Sequence, residues 1–183
     1  SELPMAQRYF LFGLCAPAGT RREEGDMTTL PVAYELKQAG DWSDAIDRCV
    51  LSYDDRFLRR KRLAGESGLA FLCDLAQTTS LNAGDAFALN DGRVIEIVAA
   101  PEDLYEVRGP DLARLAWHVG NRHTPCQIAE DALYIQRDKV IGHMLEHLGA
   151  VLTEVVRPFT PEGGAYGHGR THAHEHGATA HAH

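Results

Sequence analysis

The chain has 183 residues and a mass of 20.1 kDa, room for one ordinary domain or two small ones, and its 44% apolar and 24% charged residues are the composition of a globular protein. Lys and Arg number 18 against 26 Asp and Glu, a formal charge of −8, so the basic footprint needed for a phosphate backbone is missing and nucleic acid and anionic membrane are poor candidates for partners. No apolar stretch approaches the ~20 residues that span a bilayer. Tyr9–Cys15 follows a single Arg8 and is too short for a signal peptide, and Leu14 stands where a lipobox would place a small residue before Cys15. The expected location is the cytoplasm.

Residues 1–26 have no clean period and carry the charged cluster Arg21-Arg22-Glu23-Glu24; Met27 offers an alternative start, so this piece reads as an N-terminal extension. Between Leu30 and Leu51 the pattern is mixed. Val50–Tyr53 reads as a short strand and Asp54-Asp55 as a turn into Arg56–Leu63, whose charges suit an edge strand. Leu69–Cys73 is a strand, Leu81–Asp85 a turn, and Ala86–Leu89 a strand joined to Val94–Ala100 through the hairpin signal Asn90-Asp91-Gly92-Arg93. Short strands at this spacing indicate a small β domain. Beyond residue 101 the texture changes. Leu104–Val107 is a strand. Asp111 then caps a helix with apolar Leu112, Leu115, Ala116 and Val119, ended by Gly120-Asn121. Cys126–Ile128 and Leu133–Gln136 are strands. A second helix starts at Asp138, carries the stripe Val140, Ile141, Met144, Leu145 and Leu148, and stops at Gly149 before a last strand, Val151–Arg157. The order β-α-β-β-α-β is that of a ferredoxin-like domain. Pro158 and Pro161 lead into a Gly/His tail without core-forming residues, expected to be disordered.

Cys15, Cys49, Cys73 and Cys126 are scattered without a CxxC, which fits reduced thiols and not a disulfide framework or a four-thiolate zinc site. Histidine is the skewed residue. Six of the ten, His168, His172, His174, His176, His181 and His183, fall in the last sixteen positions. Alternating imidazoles on a soft tail suit nickel, copper, zinc or cobalt, and the interruptions by Ala, Glu, Gly and Thr are unlike a purification tag. A second candidate is the segment His118–Cys126. His123 sits past a helix end between Gly120 and Pro125, where a lone His is ordinarily a polar surface residue. His118 lies off the apolar stripe, exposed or at an interface. Cys126 is a soft ligand by type, although its alternation with Ile128 favours packing. The third candidate is His143-Met144-Leu145-Glu146-His147, which matches the H-x-x-E-H pattern of zinc peptidases. A hydrolase would need a third ligand and an enclosing cleft, so exposed side chains are the expected reading. There is no phosphate-binding glycine loop, dinucleotide fingerprint or nucleophile elbow.

Taken together, the chain resembles the urease accessory nickel metallochaperones. The resemblance rests on His118-Val119-Gly120-Asn121-Arg122-His123-x-Pro125-x-Gln127-Ile128, on Met144-Leu145-x-x-Leu148-Gly149, on Pro158-Phe159-x-Pro161-Glu162-x-Gly164-Ala165-Tyr166-Gly167 and on the His-rich tail; Arg59-Arg60, Leu81-x-x-Gly84-Asp85 and Asp91-Gly92 fit the family upstream. It implies an α+β protein with a β-rich N-terminal domain similar to a chaperone peptide-binding domain and a ferredoxin-like metal-binding domain. The expected organisation is an extension at 1–26, the β-rich domain at 27–106, the metal-binding domain at 107–159 and the His-rich tail at 160–183. It also implies a non-catalytic homodimer that carries Ni2+, with Zn2+ or Cu2+ as competitors, and serves the urease accessory GTPase complex and the urease apoprotein. His123 of each subunit would stand at the dimer interface, where a two-fold axis doubles a single imidazole and tail histidines complete the shell; His118 and Cys126 are possible additional ligands. Some family members carry histidines between Tyr134 and Val140, where this chain has Gln136, Arg137 and Lys139, which puts a further folded site there in doubt. The rival readings are a zinc hydrolase built on His143, Glu146 and His147, and a metal-storage protein that needs only the tail.

Overall fold

A computed structural model describes residues 29–163. The chain forms two sheets in succession. The first contains β1 (Val32–Lys37), β2 (Asp47–Leu51), β3 (Phe57–Ala64), β4 (Ala70–Ser80), β5 (Ala86–Leu89) and β6 (Val94–Ala99), in the order β2-β6-β5-β1-β4-β3. β1 runs parallel to β4 and β2 parallel to β6; the other pairs are antiparallel. Its core is built on Phe71, Phe87, Ile95 and Ile97, with Cys49 and Cys73 buried among them. The charged strand β3 occupies an edge, with Arg59–Arg62 exposed and Arg60 and Lys61 facing Asp74 and Asp55. Charge there discourages pairing with a stray strand.

Three elements depart from the sequence reading. β1 lies in the stretch that showed no period, because its register shifts between Ala33 and Glu35 and the alternation breaks with it. β2 ends at Leu51 instead of continuing to Tyr53, which enters the turn where the amide of Arg56 donates to the carbonyl of Ser52. β4 continues past Cys73 to Ser80; its far end, Ala76–Ser80, buries no residue fully and pairs only with β3, so no apolar alternation marks it.

The second sheet follows without a linker. Ala100 donates to Leu51 and β7 (Pro101–Arg108) begins at once, so the sheets change ahead of the boundary expected at 106/107. α1 (Leu112–Gly120), β8 (Gln127–Ile128), β9 (Leu133–Gln136), α2 (Lys139–His147) and β10 (Val151–Pro158) complete a β-α-β-β-α-β run, with all pairs antiparallel in the order β10-β7-β9-β8. α1 is capped by Asp111, whose carboxylate accepts from the Arg114 amide. α2 is capped by Asp138, which accepts from Val140 and Ile141. Gly149 ends α2 at a φ of +90°, where its amide and that of Ala150 satisfy Glu146 and Leu145 carbonyls. No described helix is long and apolar enough to cross a membrane.

The two faces of this sheet have different jobs. Val107, Leu133, Ile135 and partly buried Leu152 pack against Leu115, Val119, Ile141 and Leu145 of the helices. Leu104, Tyr134 and partly buried Val155 turn the other way, onto Phe159 and Tyr53. That second face is the junction with the first sheet. Phe159 is fully buried with Tyr53 edge-on at 5.5 Å. Its carbonyl accepts from the buried Arg56 guanidinium, and the Tyr53 amide donates to Glu102 at 2.6 Å.

Phe159→Ala is therefore expected to cost about 3–5 kcal/mol, the usual range for emptying a buried phenylalanine site. The same truncation at Val156, which is 65% exposed, should stay within about 0.5 kcal/mol. Urea unfolding of the two variants measures the difference.

Candidate metal site

The Leu115 and Val119 face of α1 is held in the core, and this fixes where the helix ends. The exit is a tight wrap. Asn121 donates to Trp117, Arg122 and Thr124 both donate to Val119, and His123 donates to Gly120 at 2.9 Å. His123 itself has a φ of +54°, in the left-handed region that few non-glycine residues adopt, and its side chain is exposed. Histidine is among the side chains that tolerate this conformation. Pro125 then keeps Thr124 out of the helical region, so the chain turns outward and back into β8. The outcome is a single imidazole presented on a stiff corner.

The other sequence candidates fall around it in different states. His118 is half-buried on α1, with its ring edge-on to Trp117 at 4.9 Å. Cys126 is also half-buried and packs against the helix-facing core. Burial pushes its thiol up to about 11, with the nearby Glu162 carboxylate adding to the effect, so at neutral pH it is held as a thiol. Cys49 and Cys73 are buried in the first sheet, with thiols raised by burial to about 11 and about 12. They are packing residues, as the scattered spacing suggested. His143, Glu146 and His147 are all exposed along α2. Among the described residues, no group of three or more His, Cys, Asp and Glu is placed to hold a metal ion. His168, His172, His174, His176, His181 and His183 lie outside the described residues, as does Cys15.

One part of the arrangement was not legible from residue types. The segment after β10 returns to the strand that follows His123. The amide of Thr160 donates to the Gln127 side-chain oxygen at 2.9 Å, and the amide of Glu162 donates to the Cys126 carbonyl at 2.9 Å. The chain thus begins its last stretch beside β8, three residues from His123. Gln127 and Glu162 both stand in motifs quoted from the sequence, but only their pairing in space reveals the tether.

The comparisons with known proteins cover both sheets. Residues 29–100 match the family model described as UreE urease accessory protein, N-terminal domain, and residues 102–183 match that of its C-terminal domain. The urease accessory protein UreE of Ruegeria pomeroyi is 67% identical over 147 residues, covering 80% of this chain and 99% of that protein. The protein of the same name from Cereibacter sphaeroides is 57% identical over 152 residues, 82% of this chain and 83% of that one. The Rhodobacter capsulatus protein is 53% identical over 151 residues, 82% and 96%.

The raised thiol of Cys126 has a direct consequence for reactivity. Only thiolate is alkylated, and a thiol at about 11 exposes far less of it at pH 7.5 than an unfolded cysteine near ~8.5. Iodoacetamide labelling of Cys126, followed residue by residue by mass spectrometry, should run at least about tenfold slower in the folded than in the denatured chain, and should accelerate as the pH is raised toward 10.

Proposed function

The chain belongs to the UreE urease accessory protein family, and from that membership we propose that it binds nickel and delivers Ni(II) to the urease apoprotein during active-site assembly, without catalysing a reaction itself. The working unit is a cytoplasmic homodimer, with the urease accessory GTPase complex as its other partner. Its second sheet and two helices are read as the ferredoxin-like metal-binding domain, an assignment supported by the strand order β10-β7-β9-β8. The first sheet is read as the chaperone-like β domain.

The observation that carries the reading is the exposed His123, alone on a rigid corner beside the root of the His-rich tail. One imidazole does not hold a divalent ion, but a two-fold axis supplies a second copy. Trp117, on the helix that leads to His123, is 63% exposed, which suits a surface covered by another subunit. His168 is six residues beyond Glu162, so it begins within about 22 Å of the tether at full extension. Tail imidazoles are therefore well placed by chain length to close the shell, with His118 a further ligand only if the assembled dimer exposes it; Cys126, packed and held as a thiol by burial, stays out of the shell. A site shared between two chains and the tail histidines can also be dismantled one ligand at a time, which is what a donor needs. Zn2+ and Cu2+ suit the same ligands and are expected to compete. Because imidazole ligates only when neutral, acidification should release the metal.

Two variants separate the ligand populations. Removing residues 168–183 should leave the dimer intact, retain one tight nickel per two chains and lower the total bound. His123→Gly should do the reverse. Glycine takes the left-handed corner without strain, so stability should be unchanged or rise by up to ~1 kcal/mol, while the tightest site is lost and urease maturation falls. Isothermal titration with nickel and analytical ultracentrifugation read both effects. A tight site that survives His123→Gly and vanishes with the tail would overturn the shared-histidine reading.

A further inference from the structure

The two exposed histidines of α2 have no part in the function just described, yet their placement is specific. We propose that His143 and His147 form a separate metal site on the outer face of α2, chelating one borderline divalent ion of the Ni(II), Cu(II) or Zn(II) class through two imidazoles, with water in the remaining positions. They are one helical turn apart, the spacing at which side chains share a face, and their ring centroids are 4.5 Å apart with planes inclined at 65°. Two imidazole nitrogens bound at right angles to one ion, each at about 2.1 Å, lie about 3 Å from one another, which brings their ring centres to about 4.5–5 Å. Bidentate binding thus needs only rotation of exposed rings.

The backbone beneath is held still. Asp138 caps the start of α2, Gly149 closes its end, and a Cβ at Gly142 would come within 3.2 Å of Tyr105 and Leu152, so the turn that carries both histidines is seated directly on the sheet. A fixed pair loses less freedom on chelation than a pair on a soft segment. The surroundings are mixed in charge: His118 and Arg122 line the same groove from the α1 side, and Lys139, Glu146 and Glu154 border His143 on the other. Since no described group of three or more His, Cys, Asp or Glu is set to hold an ion, the described residues supply this site with two protein ligands. Open positions filled by water make for a weaker, faster-exchanging site than a closed one. The H-x-x-E-H spacing would then serve two-point metal capture and not peptide hydrolysis. The α2 pair is independent of His123.

Residue-resolved carbethoxylation of the full chain at pH 7.5, with and without nickel sulfate, tests the site. Both rings should react in the metal-free protein. Saturating nickel should slow both at least about tenfold. His147→Ala should return His143 to its metal-free rate in the presence of nickel, and His143→Ala should do the same for His147, because chelation requires the pair. His123→Gly should leave the protection in place, so failure of the His123 reading is told apart from failure of this one. Rings that are unreactive without metal, rings whose reactivity nickel does not change, or protection of one ring that survives loss of the other would each overturn the proposal.

Discussion

The arrangement depends on the return of the chain after β10. Phe159 enters the gap between the two sheets, and its carbonyl is taken by the buried Arg56 of the first. The next three residues are then fastened to the start of β8 and the residue before it, Thr160 donating to the Gln127 side chain and Glu162 to the Cys126 carbonyl. A buried aromatic sets position and two backbone donors set direction. Together they make the second sheet's outer face the joint with the first sheet and fix the point from which the His-rich segment departs.

That departure point matters because the described residues gather no group of three or more ligand-type side chains around His123. His123 is presented on a left-handed corner, exposed at the end of α1. Cys126, three residues on, has its thiol held protonated by burial. In the proposed chaperone the incompleteness is functional. Affinity comes from a second subunit and from tail imidazoles brought close by the tether, and each contribution can be withdrawn separately when the ion is passed on. A closed cage of four ligands from one rigid chain would hold the ion more firmly and release it more slowly.

Much of this was legible in the sequence. Asp111, Asp138 and Gly149 announced the helix ends through capping chemistry, and Asn90–Arg93 announced the hairpin, because these signals are local and survive any tertiary context. The charged edge strand at 57–64 was legible for the same reason. β1 was not, since a register shift scrambled its alternation, nor was the outer half of β4, whose residues face solvent on an arm with one partner. At the site, Gly120 and Pro125 marked His123 as a loop residue, where a lone His is ordinarily a polar surface residue, and only the family resemblance singled it out; the exposure of His143 and His147 was the expected reading of that pair. The tether of Glu162 to Cys126 joins residues 36 apart, and no periodicity reports a contact of that kind.

The central claim is that His123 from two chains shares one nickel ion. Nickel-edge X-ray absorption on the full chain, loaded with one ion per two chains, addresses it most directly. The account predicts a first shell of imidazole nitrogen and oxygen with no sulfur, and a visible loss of imidazole scattering in His123→Gly at the same loading. A sulfur contribution, or a spectrum unchanged by that substitution, would contradict it.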